Sequence, residues 1–218
     1  MVAFLLRLVL GLGFLALLPG VAGALWVVLT TAGGFGWWPI IAGLAAGTAL
    51  YFILLRRIPG FEVFEHELTH ALVAWLYFRR VTNFSVKRDN GHVIFLNGFG
   101  GVFGNDMIGF APYVLPTFTA ILVLIRPFLH GPLWWYDFWI GVSFGYHLFS
   151  GYRELSPRQP DLASRGLLYS FIAVPALALT VHGLLLAILI HGYAGVPSWA
   201  AQVWATTLRA VTFLAGQR

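Results

Sequence analysis

The sequence predicts an all-α polytopic membrane protein with about six transmembrane helices and one small β-hairpin. Of its 218 residues, 59% are hydrophobic and only 10% are charged, whereas a soluble domain usually carries about 25% charged residues. Apolar segments about 20 residues long, the length that crosses a bilayer, follow one another along the chain. The expected organisation is therefore a single membrane domain over residues 1–218.

Two spans are predicted before the first polar cluster, at about 4–30 and about 38–57. The first is interpreted as a retained span and not as a cleaved signal peptide, because its apolar run continues to Leu29. The second ends at two arginines, and Pro59-Gly60 breaks the helix. Residues 1–58 are thus expected to be N-terminal accessory spans.

A third helix is predicted at about 61–78, and a β-hairpin follows it at 81–96. Residues 81–86 and 92–96 are β-prone, and Asp89-Asn90-Gly91 between them is a strong turn sequence. The glycines of 97–104 predict a flexible linker, since they lack the context of a nucleotide-binding fingerprint.

Further helices are predicted after the hairpin. Asp106 is expected to cap the fourth segment, which Pro112 and Pro116 interrupt. The C-terminal piece, 197–218, is predicted to be either a seventh span or an interfacial helix. The three segments predicted between the hairpin and this piece are about 107–127, about 133–151 and about 166–190.

The third segment contains the sequence His66-Glu67-Leu-Thr-His70. On a helix, the two histidines lie one turn apart on the same face, so both can bind one metal ion. Glu67 is then suited to act as general base toward the attacking water. Cysteine is absent, so the metal must be held by histidine and carboxylate, which suits Zn²⁺ or another borderline divalent ion. Because ionisable groups are costly in a bilayer, we favour this interpretation over an interfacial polar cluster.

A catalytic zinc site needs a third protein ligand. Among the remaining groups, Glu154 and Asp161 lie in the polar stretch between the fifth and sixth segments. His147 lies inside the fifth segment and has three interpretations, namely a ligand, a hydrogen-bond donor to substrate, or a packed histidine. The carboxylates with a ready structural explanation are Asp89, Asp106 and Asp137.

These motifs resemble the site-2 protease family of intramembrane zinc metallopeptidases, over residues 50–185 or so. The HExxH sequence, the β-hairpin after it and the helix sequence Gly109-Phe-Ala-Pro112 carry the resemblance. The family's third ligand, an Asp in a later Leu-Asp-Gly motif, corresponds to Asp161, although here the local sequence is Gln159-Pro160-Asp161-Leu162. A His followed by a late Asp also resembles a smaller group of membrane zincins, to which His147 and Asp161 would correspond.

The resemblance implies a zinc-dependent endopeptidase that cleaves membrane-protein substrates in or near the bilayer. It implies a core at 61–190, with Glu67 catalytic, Zn²⁺ held by His66, His70 and Asp161, and His147 as a candidate substrate or transition-state contact. The partners it implies are a transmembrane protein or peptide substrate and the lipid bilayer. The alternatives are a zinc hydrolase acting on a lipid or small amide, and a non-catalytic membrane scaffold.

The net charge of +5 is spread over short loops, which fits contact with anionic lipid and predicts no nucleic-acid partner. The resemblance implies that residues 79–106 and 152–165 face the cytoplasm, and the positive-inside rule favours this assignment by seven basic residues against three. The expected location is thus a bacterial or archaeal cell membrane, which the chain crosses several times, with the active site toward the cytoplasm. Oligomeric state is left open. The basic residues assigned to the cytoplasmic face are Arg79, Arg80, Lys87, Arg88, Arg153, Arg158 and Arg165, and those assigned to the opposite face are Arg56, Arg57 and Arg126.

Overall fold

Helices and one hairpin make up the fold in the computed structural model, which describes residues 1–214 and 216. Predicted helix boundaries differ from the observed ones by a few residues in most elements. In chain order the elements are α1 (Val2–Thr31), α2 (Trp38–Ile53), α3 (Phe61–Leu76), β1 (Val81–Val86), β2 (Gly91–Phe95), α4 (Gly101–Val114), α5 (Thr117–Ile125), α6 (Trp134–Glu154), α7 (Pro160–Ala163), α8 (Leu167–His191) and α9 (Gly195–Leu214).

The chain divides into two compact units. The first comprises Met1–Trp37, Ala120–Leu133 and the described part of Leu167–Arg218, and the second comprises Trp38–Thr119 and Trp134–Gly166. The HExxH helix, the hairpin and Asp161 all belong to the second unit. The predicted organisation into accessory spans at 1–58, a core at 61–190 and a C-terminal helix at 197–218 stays a prediction.

In the first unit, α1 packs against α8 and α9. Its core joins small residues of α1 to Trp199 of α9, whose ring occupies the space beside Gly183 of α8. Thr206 Oγ1 donates a hydrogen bond to the Gly20 carbonyl at 2.5 Å, which ties α9 to α1. Residues 215, 217 and 218 of the predicted C-terminal helix lie outside the described residues.

In the second unit, α2 and α6 pack side by side through glycines four residues apart. A Cβ added at Gly47 would collide with the Val142 carbonyl, and one at Gly145 would collide with the Leu44 carbonyl. Small residues at this spacing let helix backbones approach closely in a membrane. The helices run in the same direction, because Trp38 stacks on Trp134 near their starts, with ring centroids 6.4 Å apart. The glycines of this contact are Gly43, Gly47, Gly141 and Gly145.

The ends of α2 and α6 also lie together. Arg153 Nη1, near the end of α6, donates a hydrogen bond to Tyr51 Oη at 2.9 Å and lies 3.2 Å from Glu62 Oε1. Arg56 and Arg57 lie in the chain between Tyr51 and Glu62, so they lie at the same end of this unit as Arg153. Their predicted assignment to the face opposite Arg153 is therefore wrong.

The predicted hairpin is confirmed. Strands β1 and β2 pair antiparallel, with Val86 opposite Gly91 and Val81 opposite Phe95. The glycine-rich segment that follows is not simply a linker, because α4 begins at Gly101. The buried Arg79 donates hydrogen bonds to the carbonyls of Phe99 and Gly101, both at 3.1 Å, and these bonds order the segment.

Asp106 does not cap α4, contrary to the prediction. The helix begins five residues earlier, so Asp106 lies within it and is fully buried. The start of the helix cannot be recognised from local sequence, because the side chain that orders it, Arg79, comes from before the hairpin.

Three helical segments are long and apolar enough to cross a membrane, and a bent pair makes a fourth if it forms one span. The predicted number of six is not confirmed in the described residues. Helix α3 has 16 residues, about 24 Å, which is shorter than the hydrocarbon core of about 30 Å. The segments are Val2–Thr31, Trp38–Arg57 and Leu167–Phe213, and the bent pair is Gly101–Val114 with Thr117–Phe128.

Candidate metal centre

His66, His70 and Asp161 converge within the second unit. His66 Nε2 lies 3.4 Å from Asp161 Oδ2, and His70 Nε2 lies 3.3 Å from the same oxygen. One ligand atom from each residue lies within 4.8 Å of the other two. The histidines come from successive turns of α3 and the carboxylate from α7, so the group joins two elements far apart in sequence.

The second nitrogen of each histidine is held by a different group. His66 Nδ1 lies 2.6 Å from Glu154 Oε2, and His70 Nδ1 lies 2.7 Å from the Ile108 carbonyl oxygen. With the proton on Nδ1, each imidazole donates to its acceptor and leaves Nε2 directed at Asp161. Such contacts fix the ring orientation and tautomer of metal-binding histidines.

The donor set fits a zinc ion. Two imidazole nitrogens and one carboxylate oxygen are ligands that zinc accepts, with one position left open. Two ligands about 2.1 Å from one tetrahedral ion lie about 3.4 Å apart, and the separations from Asp161 Oδ2 are 3.4 and 3.3 Å. Glu154, the alternative third ligand, contacts His66 on its other nitrogen and is not in this group.

The charge state of Asp161 suits a cation ligand. Burial alone raises the pKa of this carboxyl, but the combined effect of the neighbouring His66 and His70 outweighs burial and holds the pKa below its ordinary value. The carboxyl group is therefore ionised at neutral pH. Its other oxygen, Oδ1, lies 3.7 Å from Arg165 Nη1, which further favours the charged form.

Glu67 lies beside these ligands and lines a cavity of about 440 Å³. Strand β2 forms another wall, and Gly91 at its start packs directly on Glu67. A Cβ added at Gly91 would lie 2.6 Å from Glu67 Cγ and 2.9 Å from Glu67 Oε1. Only glycine therefore fits here without displacing the carboxylate, and the hairpin helps to determine the position of Glu67.

Sequence reasoning missed the role of Arg165. Its Nε lies 3.4 Å from the fully buried Asp106 Oδ1, and its Nη2 donates to the Asn105 carbonyl at 2.9 Å. It also donates to the backbone carbonyl of Asp161, so it links α7 to α4. A Cβ at Gly109 would overlap its guanidinium group. The sequence feature that could have indicated this role is a basic residue four positions after Asp161.

His147 lies apart from the ligand group. It is buried in α6 with Nδ1 4.0 Å from Glu65 Oε1, and it does not line the cavity. The structure thus brings together four of the five predicted site residues, Glu67 and the three candidate ligands, and leaves His147 beside Glu65, outside the cavity. The catalytic, ligand and substrate-contact roles of all five stay predictions.

Comparison with known proteins gives one family match. Residues 40–144 match the model of the family described as Peptidase M50B-like, and this match confirms the resemblance to the site-2 protease family. The matched region includes His66, Glu67, His70 and the hairpin, and it ends before Glu154 and Asp161. No curated protein and no solved structure matches the chain. The family and the apolar helices together indicate a metallopeptidase that is an integral membrane protein.

Proposed function

We propose that the protein is a zinc-dependent intramembrane endopeptidase that cleaves membrane-protein substrates in or near the bilayer. The observation that carries the proposal is the approach of both histidine Nε2 atoms to one oxygen of Asp161, at 3.4 and 3.3 Å. The match of the HExxH region to a peptidase family supports the choice of reaction.

In this proposal His66, His70 and Asp161 hold the metal, with His66 oriented by Glu154 and His70 by the Ile108 carbonyl. A zinc ion held by these residues would act as a Lewis acid, which would polarise the scissile carbonyl and lower the pKa of water. Glu67 takes the proton from the attacking water as the water oxygen bonds to the carbonyl carbon. The same carboxyl then gives the proton to the amine nitrogen as the C–N bond breaks.

The cavity favours a peptide over a lipid as substrate. Most of the side chains that line it are polar, and β2 runs along one wall. A cleaved peptide must be extended, because a helix hides its carbonyls in hydrogen bonds. The exposed backbone of a strand can hold an extended peptide by β-augmentation. A hydrolase for apolar lipids would instead need a closed apolar pocket.

The first test is Glu67→Gln, which removes the base and leaves the ligands in place. We expect cleavage of a single-span membrane substrate by purified protein to fall at least a hundredfold. Zinc content by metal analysis should stay at the wild-type level. Glu62→Gln is the matched control, because Glu62 lies on the same helix outside the cavity, and it should keep most activity. Cleavage by Glu67→Gln at the wild-type rate would refute the mechanism.

The second test is Asp161→Ala, which removes one of the three proposed ligands. Zinc content should fall well below one ion per chain, because two imidazoles alone bind the metal weakly. Asp89→Ala, a change at another carboxylate lining the cavity, should leave zinc content unchanged. If Asp161→Ala retained a full complement of zinc, the third ligand would have to be another residue.

A further inference from the structure

Pro112 lies inside α4 and is fully buried. In an α-helix each carbonyl accepts a hydrogen bond from the N–H four residues later. The partner position of the Ile108 carbonyl is residue 112, and proline has no N–H to donate. The helix therefore leaves the Ile108 carbonyl without its usual donor.

That same carbonyl accepts the hydrogen bond from His70 Nδ1, at 2.7 Å. Both Ile108 and His70 are buried, and a buried carbonyl without a partner is costly. The proline ring also crowds the carbonyl four residues earlier, which tilts that carbonyl away from the helix axis. The missing donor and the tilt both favour a bond to a side chain outside α4.

We propose that Pro112 is a positioning residue for the metal ligand His70. Because Pro112 has no N–H, no backbone donor of α4 competes for the Ile108 carbonyl, which accepts the hydrogen bond from His70 Nδ1. With the proton on Nδ1, the lone pair on Nε2 is available for the metal. This inference rests on the proposed zinc site. It assigns to the proline a role beyond bending or ending α4, which finishes at Val114, two residues later.

Positioning His70 and shaping α4 are two different roles for Pro112, and they predict different results when a backbone N–H is restored at position 112. Pro112→Ala and Pro112→Gly both restore it, but Ala favours a helix interior and Gly does not. If Pro112 positions His70, both variants lose zinc affinity to a similar extent, by about tenfold or more. If Pro112 serves only the shape of α4, zinc affinity follows helix stability and differs between Ala and Gly.

The experiment uses the purified full chain. Zinc affinity is measured by competition with a chromophoric chelator, and the midpoint of thermal unfolding is measured on the metal-free protein. We expect both variants to bind zinc about tenfold more weakly, with a higher unfolding midpoint for Ala than for Gly. Pro175→Ala, the same change inside α8, is the control and should keep wild-type affinity.

The outcomes separate this inference from the proposed function. A wild-type protein that binds no zinc would refute the proposed function itself. Wild-type binding with unchanged affinity in both variants would overturn the role of Pro112 alone, as would a loss confined to the Gly variant. Nitrogen NMR of zinc-loaded wild-type protein gives a measurement that needs no variant to fold. His70 should carry its proton on Nδ1, and a proton on Nε2 would overturn the inference.

Discussion

Each proposed ligand side chain is held by a second group on its other polar atom. Glu154 contacts His66 Nδ1, the Ile108 carbonyl contacts His70 Nδ1, and Arg165 lies beside Asp161 Oδ1. Side chains fixed in this way lose little freedom when a metal binds, so the arrangement favours tight binding. Those three groups come from α6, α4 and the segment after α7, so several elements must fold together to complete the site.

The contact between Gly91 and Glu67 leads to a prediction about a single residue. Gly91→Ala would place a Cβ 2.6 Å from Glu67 Cγ, so the carboxylate must move. We expect kcat to fall by about tenfold or more, because small misplacements of a catalytic group are costly. Zinc content should not change, since Gly91 contacts Glu67 and not the proposed ligands.

The control for this change is Gly36→Ala, at a position where an added Cβ meets nothing within 4 Å. It should leave both kcat and zinc content at wild-type values. A Gly91→Ala enzyme with wild-type kcat would show that the hairpin does not position Glu67.

Among the elements, the α2–α6 pair brings Glu154 to the site. Gly47 and Gly145 let the two backbones touch, and a larger side chain at either position would separate them. We expect Gly47→Leu to lower the free energy of unfolding by about 1–3 kcal/mol, the usual cost of overpacking. Thermal unfolding in detergent measures the change.

Gly13→Leu on α1 is the matched control for the helix pair, because nothing lies within 4 Å of a Cβ at Gly13. Its unfolding midpoint should stay close to that of the wild type. Equal midpoints for Gly47→Leu and the wild type would mean that close helix approach contributes little to stability.

At the scale of the whole molecule, several basic residues of the second unit lie at the end that holds the candidate metal centre, where Arg153 and Glu154 end α6. Arg56 and Arg57 come directly after α2, at this end. The hairpin turn lies at the same end, because a Cβ added at Gly60 would lie 3.1 Å from the Lys87 carbonyl oxygen. Under the positive-inside rule this end is expected to face the cytoplasm.

Single cysteines test this orientation, because the chain has no cysteine of its own. In intact cells, a membrane-impermeant maleimide should label Trp134→Cys and should not label Arg57→Cys or Lys87→Cys. After the membrane is permeabilised, the maleimide should also label Arg57→Cys and Lys87→Cys. Labelling of Arg57→Cys and Lys87→Cys from different sides would contradict the arrangement, and labelling of both from outside would reverse the orientation.

The features that the sequence alone determines are local ones. The spacing of His66 and His70 places both on one helix face, and Asp89-Asn90-Gly91 specifies a tight turn between two β-prone runs. Low charge and long apolar runs likewise indicate a membrane protein. All of these features depend only on residues that are close together in the sequence, so they can be predicted without the fold.

Tertiary structure decided which distant groups meet these residues. Asp161 rather than Glu154 faces both Nε2 atoms, Arg165 occupies the space that Gly109 leaves, and α4 begins before Asp106. None of these follows from local pattern, since each depends on packing between elements far apart in the chain. The predicted number of six spans is not confirmed in the described residues. Hydropathy does not register that α3 has only 16 residues, or that most of its residues from Glu65 to His70 are buried.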